Sequence, residues 1–300
     1  MKFRAHDTFF IRKGWLYKGM KNVMNDPAVF MGTNGNPMDI LGIGSNMVKS
    51  LRYWLQSVGL TVEPNSGRRT QQFTEFGETI FEFDPYIEEI GTLWLLHYKL
   101  ASNSSEATAW FYFFNEFNLM EFTRDDFVLQ LNSFIKMNDN SVSERSLEDD
   151  FNCIVNTYVP RIKSNPEKIN PESNIDCPLG ELGLISIVNK SYKDNQGKKQ
   201  ILYRKSPPKM EALHPLIVLA IILDNTNGEK EVKISSIQND KNNAGKILNL
   251  DLIGLITLLN KLDTMGFIKV IRTAGLDVVR IDTEMNFIET IREYYRIINE

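Results

Sequence analysis

"LGIGSNMVKSLRYWLQSVGL", residues 41–60, decides how the chain reads. Met47, Leu51, Trp54, Leu55 and Val58 recur at three- and four-residue steps, so a helix places them on one stripe facing a core. Lys49, Arg52, Tyr53 and Gln56 follow the same spacing on another face. Ser45 or Asn46 can cap the start, and Gly59 can end the helix in a left-handed conformation. Alone, the second face is either a solvated helix surface or a contacting one. Its neighbours decide between them.

Upstream, "PMDILGI" supplies a short helix joined through a Gly42–Gly44 turn. Downstream, "LTVE" is a strand, "PNSG" is strong turn chemistry, and "TEFGETIF" restarts a helix. Helix, turn, helix and hairpin make a winged helix-turn-helix, whose second helix enters the major groove while the wing follows the backbone. Arg68 and Arg69 stand at that wing, where guanidinium groups suit phosphate contacts.

The order recurs. "LNLDLIGLITLLNKLDTMG" is an amphipathic helix with Leu252, Leu255, Ile256, Leu259 and Leu262 in register, stopped at Gly266. "FIKVIRT" and "LDVVRID" then form a hairpin across "AG". A weaker copy lies between: "FTRDDFVLQLNSFI", with Thr123 and Asp126 as a capping box, "SERSLEDDFNCIVNTYV", and a hairpin across "DNQG". Residues 188–209 of that copy carry seven Lys/Arg and one Asp, which makes Lys198, Lys199 and Arg204 candidate backbone contacts. The expected fold is mainly α with small antiparallel β wings, in three consecutive winged helix-turn-helix-like lobes. The corresponding domains are 1–85, 86–210 (acidic, with the basic hairpin) and 211–300.

At 300 residues and 42 % hydrophobic, the chain can bury substantial cores. Its net charge of −4 hides a split. Residues 1–72 hold 10 Lys/Arg against 4 Asp/Glu, and residues 73–150 hold 4 against 16. A basic binding module beside an acidic one gives such a split; the acidic block is either solvated or binds a basic partner. Cys153 and Cys177, the only cysteines, show no metal-ligand spacing and fit a reducing cytoplasm. The longest apolar run, "LIVLAIIL" at 216–223, is too short for a bilayer, so no membrane association is expected. The aromatic stretch "TLWLLHYKLASNSSEATAWFYFFNEF" contains a single base, Lys99, and reads as core rather than as a base-stacking platform.

No phosphate-binding glycine loop, HExxH, nucleophile elbow or Cys–His cluster occurs. His97 and His214 read as structural. His6, in "FRAHDTFFIRKGW", stands beside Asp7 with Arg4, Arg12 and Lys13 close by. A histidine, a carboxylate and a guanidinium near a bound backbone are the parts of phosphodiester cleavage, through general-base action or a divalent metal such as Mg. His6, Asp7 and Arg12 are therefore the candidate catalytic residues. A looser D…ExK arrangement of Asp224, Glu231 and Lys233 is a lesser candidate.

"AHDTFFIRKGWLYKG", "DPAVFMG", "LGIGSNMVKSLRYW", "FTEFGETIF", "DPYIEEIGTLWLLHYKLA", "ATAWFYFFNEF", "FTRDDFV", "DCPLGELGLI" and "TAGLDVVR" occur in an order that resembles one bacterial family. That family is domain-of-unknown-function family 4007, encoded beside DNA phosphorothioation genes. The resemblance spans nearly the whole chain. It implies a DNA-binding component of a phage-defence system that replaces a phosphate oxygen by sulfur, with nicking to admit the sulfur. It also implies a cysteine desulfurase, an ATPase and a sulfur-activating enzyme as partners. The family usually carries His-Glu where this chain has His6–Asp7, and Asp shortens the reach of that carboxylate. The other readings are a non-catalytic DNA reader and a winged-helix transcriptional regulator.

Overall fold

The computed structural model describes residues 1–64, 67–160, 177–194, 197–273 and 276–300. The chain runs through α1 (Trp15–Asn25), α2 (Pro37–Leu41), α3 (Ser45–Ser57), strands β1 (Thr61–Val62) and β2 (Gln72–Phe73), and α4 (Glu75–Phe83). Next come α5 (Ile90–Ser102), α6 (Thr108–Asn115), β3 (Glu121–Phe122), α7 (Arg124–Met137), α8 (Glu144–Tyr158), β4 (Ile185–Lys193) and β5 (Lys199–Lys205). The last third holds α9 (Pro215–Asn225), β6 (Glu231–Lys233), α10 (Ile234–Asn239), α11 (Ala244–Ile247) and α12 (Leu252–Thr264). It closes with β7 (Ile268–Thr273), β8 (Leu276–Ile281) and α13 (Phe287–Asn299). The protein is mainly helical with small sheets, as expected. Their orders are β1-β2, β3-β5-β4 and β6-β8-β7, and every pairing is antiparallel. The central residues of the expected "PNSG", "DNQG" and "AG" turns (65–66, 195–196 and 274–275) lie outside the described residues.

Helices that are apolar all round can only be stable inside. α5 is one: residues 91–98 are all buried. α9 is the other, buried from Pro215 to Ile222, which gives the apolar run at 216–223 its place. The two pack on each other, and α6, α11 and α13 close round them. The aromatic stretch is core: Trp94, Trp110, Tyr112, Phe113 and Phe114 are buried, and Phe111 is half-buried. α13 returns from the end of the chain to α4, stacking Tyr295 on Phe83 at 5.1 Å and placing Arg292 2.8 Å from Glu82. One continuous apolar core thus runs through all three expected regions.

The opening stretch folds as its spacing predicts, with two local differences. Gly42 takes a left-handed φ of 61°, and Gly44 is the N-cap of α3, so the helix starts without a side-chain cap from Ser45 or Asn46. Leu51, Trp54, Leu55 and Val58 are buried to 0 % exposure, while Met47, at the helix start, is only half-buried. In α12, Leu255, Leu259 and Leu262 are buried, but Leu252 in its first turn is exposed. Helix ends lie at the margin of the core, where periodicity overstates burial.

The junction between α3 and α4 is tight. Gly59 turns the chain at φ 75°, and the Leu60 carbonyl accepts from the Thr74 N–H at 3.1 Å. Thr74 also caps α4 through the Gly77 N–H at 2.9 Å. That carbonyl points at Gly77, where a Cβ would sit 1.9 Å from the oxygen. Neither partner is a side chain that can swing away. Gly77→Ala is expected to lower unfolding stability by about 3 kcal/mol, the upper part of the overpacking range, as measured by denaturant unfolding.

Candidate nucleic-acid interface

Nine residues before α1, His6 is fully buried rather than surrounded by charge. Its Nε2 lies 2.7 Å from Oδ1 of Asp150 on α8, and its Nδ1 accepts from the Thr8 N–H at 3.1 Å. An accepting Nδ1 puts the ring proton on Nε2, donated to Asp150. The ring is boxed by Tyr53, Trp54 and Trp110 at centroid distances of 6.3, 6.1 and 5.7 Å. The carboxylate that holds His6 is therefore Asp150, 144 residues away, and not Asp7. Burial pushes the Asp150 carboxyl up, against the His6 hydrogen bond and the Arg4 N–H, which pull it down. With both nitrogens engaged and no exposed edge, this imidazole is placed to organise the chain rather than to take a proton from a substrate.

What it organises is the N-terminal turn. Arg4, Asp7 and Thr8 all adopt left-handed φ, 55°, 50° and 67°, an arrangement that holds only when its surroundings over-determine it. Those surroundings are the acidic block. Lys2 reaches Glu106, Arg4 lies 2.7 Å from Asp149, and His6 meets Asp150. Part of the acidic block thus binds a basic partner after all, and that partner is this chain's own N-terminus. Beyond the turn, the Phe9 carbonyl accepts from Trp54 Nε1 at 2.9 Å, laying the segment along α3. Arg12 is half-buried, 5.7 Å from the Phe9 ring and 5.3 Å from the Trp15 ring.

The polar face of α3 divides in three. Lys49 is exposed. Tyr53 is buried, 7 % exposed, and belongs to the core: its place beside Trp54 and His6 removes it from any outward face. Arg52 and Gln56 turn toward the strand pair. Arg52 holds Glu63 by two bonds of 2.5 and 2.9 Å and donates to the Arg69 carbonyl at 3.2 Å. Gln56 reaches the same Glu63 at 3.2 Å, and Gln71 donates back to the Arg52 carbonyl at 2.9 Å. Arg52 and Gln56 are thus occupied in fastening the 63–71 connection to α3. Sequence reading missed Glu63 because a lone carboxylate after a short strand carries no pattern.

Arg68 and Arg69 are exposed at that connection, directly beyond the fastening. Among the described residues Arg12, Lys13, Lys49, Arg68 and Arg69 have no carboxylate within 4.0 Å. The β4–β5 hairpin differs. Lys198 lies on Asp125, and Arg204 takes Glu121 at 2.5 Å across the β3–β5 pairing. Lys199 is exposed there and has no carboxylate within 4.0 Å among the described residues.

The lesser D…ExK candidate does not assemble. Asp224 accepts from Tyr98 and pairs with Lys99, Glu231 sits on β6 opposite Arg280, and Lys233 precedes α10. A divalent metal finds no better donor set: among the described residues no three His, Cys, Asp or Glu side chains stand together to hold one. Asp150 Oδ2 is buried without a partner, but a single oxygen behind His6 does not make a coordination sphere. Also among the described residues, no helix is long and apolar enough to cross a membrane.

Among the described residues, a mainly helical fold with three small antiparallel sheets, in which Arg12, Lys13, Lys49, Arg68 and Arg69 have no carboxylate within 4.0 Å, is the class of protein that the geometry defines. The chain belongs to the DUF4007 family, "Protein of unknown function (DUF4007)", whose model matches residues 3–295. Two solved structures share its fold. "Magnesium ion-bound SspB crystal structure" is 24 % identical with a TM-score of 0.82, and "SspB crystal structure" is 23 % identical with a TM-score of 0.81. Each comparison covers 100 % of this chain and 89 % of the other. No curated protein matches the chain.

Two outcomes follow from the buried histidines. His6→Ala leaves the buried Asp150 carboxyl with the Arg4 N–H but without its side-chain partner, so it is expected to cost about 3 kcal/mol of stability, read by denaturant unfolding. His97, fully buried, accepts from the Tyr158 hydroxyl through Nδ1 and meets the Ile247 carbonyl through Nε2. Burial draws its pKa down from 6.5 to about 4. The folded state therefore resists a proton that the unfolded chain accepts. Its contribution is intact above pH 6.5 and is lost as pH falls toward 4, amounting to about 3 kcal/mol. Unfolding of wild type and His97→Phe across that window should show the variant's stability falling less steeply.

Proposed function

We propose that this chain is the DNA-holding component of a bacterial DNA phosphorothioation system. α2, the Gly42–Gly44 turn, α3 and the β1–β2 pair read as a winged helix-turn-helix. The β4–β5 and β7–β8 hairpins read as the wings of two further lobes. The observation that carries the proposal is the contrast between the hairpins. Arg68 and Arg69, fastened to α3 through Arg52 and Glu63, keep their charges uncompensated, whereas Lys198 and Arg204 are each paired with a carboxylate. Phosphates bind where cations lack an internal partner. Membership of DUF4007 and the fold shared with SspB support a role beside sulfur-transfer proteins. On that reading the partners are DNA, a cysteine desulfurase, an ATPase and a sulfur-activating enzyme.

In this reading Lys49, Arg68 and Arg69 touch the backbone, and Lys199 extends the contact. Arg52 and Gln56 act through the connection they hold, and Tyr53 acts only through packing. Nicking at His6, Asp7 and Arg12 draws no support from the imidazole, whose two nitrogens are spent. Asp7 and Arg12 stand in the same N-terminal segment, and Arg12, whose guanidinium lies against the Phe9 and Trp15 rings, would stabilise phosphate charge on a strand brought there. The reading that the chain holds DNA for another component to act on is therefore favoured over cutting by this chain.

The test is DNA affinity against salt. Each phosphate contact adds about 0.9 to the slope of log affinity against log salt. Replacing Arg68 and Arg69 together by Gln should flatten it by roughly two units. Replacing Lys198 and Arg204 by Gln should change it by less than about one unit, since carboxylates already hold those charges. Equal flattening by both pairs would show that the contrast does not select the contacting hairpin. For cutting, supercoiled plasmid with magnesium is the assay, and Asp7→Asn should relax it no more slowly than wild type. A folded Asp7→Asn protein that has lost nicking would restore the N-terminal site.

A further inference from the structure

β5 ends in a lysine that the DNA-holding role does not use. Lys205 is 6 % exposed, and its ammonium donates to the Phe113 and Phe117 carbonyls at the end of α6, at 2.6 and 2.5 Å. It also lies 4.6 Å from the centre of the Phe113 ring and 5.5 Å from that of Phe117. Every one of these partners is neutral. Lys246 of α11 lines the same cleft, and its ammonium donates to the neutral Asn118 side chain at 3.1 Å. Among the described residues neither lysine has a carboxylate within 4.0 Å, although nearby Lys241 does, in Glu116. Asp251 also lines the cleft, but its Oδ1 is taken by the Gly254 N–H as the cap of α12.

Two lysines lining one cleft, one of them buried, outnumber its single carboxylate, Asp251, and leave the cleft net positive in a place of low dielectric. The strain is visible in Lys205, whose pKa is pulled down from 10.5 to about 7 by burial first and by Lys246 second. The cleft measures about 250 Å³. At about 30 Å³ per water in the liquid, that is room for an ion and several waters. Phe114, Phe117 and Leu250 add apolar walls beside Met120, Gly245 and Asn249.

We propose that this cleft is a binding site for a tetrahedral oxyanion of the phosphate class, held between the ammonium groups of Lys205 and Lys246. The site is separate from the α3 region and does not depend on the DNA-holding reading. Lys246 reaches the anion from the open side, and Lys205 receives it from the floor. Asn118, already bonded to Lys246, sets the width of the mouth.

The experiment is calorimetric titration of the full chain with inorganic phosphate and, separately, with dTMP. Saturable one-site binding of either is expected. Phosphate binding tighter than dTMP identifies the free ion as the source, and the reverse identifies a phosphate ester. Lys246→Ala is expected to weaken the preferred probe by about tenfold or more, the loss of one charged hydrogen bond. Lys205→Met should abolish binding. Should that variant fail to fold, Lys246→Ala, at a half-buried helical position, decides alone. Lys136→Ala, an exposed lysine on α7, should bind as wild type does. Absence of saturable binding by both probes overturns the proposal, as does equal affinity in wild type and Lys246→Ala.

Discussion

His6 and Asp150 meet at 2.7 Å in a box of three aromatic rings, and much of the N-terminal half is arranged around that contact. Burying a carboxyl and an imidazole is costly unless each satisfies the other. Here they do at Asp150 Oδ1 and at both ring nitrogens, with the Arg4 and Thr8 backbone N–H groups adding to the set, while Asp150 Oδ2 has no partner among the described residues. The pair forces a turn with three left-handed non-glycine residues and leads the chain along α3 so that the Phe9 carbonyl caps the Trp54 indole. Trp54 is thereby fixed between the N-terminal segment and Trp110 of α6. α3, on which the candidate DNA contacts stand, inherits its position from that packing.

The same contact explains the uneven charge of the sequence. Cations at the extreme N-terminus are consumed by the acidic block, through Lys2 with Glu106 and Arg4 with Asp149. Among the described residues, those that follow, from Arg12 to Arg69, have no carboxylate within 4.0 Å, except for Arg52, which is committed to Glu63. Exposed pairs such as Lys2–Glu106 contribute little individually. Their effect is to decide which charges remain for a polyanion. Functional electrostatics is here a remainder, left after internal pairing, and a count along the chain overstates it.

Much of the architecture was legible in advance because it rests on local rules. The helix restarted at "TEFGETIF" is α4, the Thr123–Asp126 capping box opens α7, and the Gly42 turn separates α2 from α3. The long basic hairpin was also legible, but its third strand, β3, was not: two residues, Glu121 and Phe122, show no alternation to read. β6 is equally short, and the charges of "EVK" match a D…ExK motif as well as they match a strand.

By itself, the sequence determined α2 to α8 and α12, the antiparallel hairpins, the burial of the aromatic stretch and the membership of DUF4007, since periodicity, capping and block order are carried by near neighbours. Only the tertiary structure decided which polar side chains are spent. Tyr53 has the spacing of a surface residue and lies in the core; Arg52 has the chemistry of a phosphate contact and holds Glu63; His6 has a carboxylate beside it and bonds another 144 residues away. Helical spacing sets the direction in which a side chain leaves its helix. What waits in that direction comes from distant parts of the chain, and a hydrogen bond or ion pair, effective only over a few ångströms, is written only when the fold brings them there.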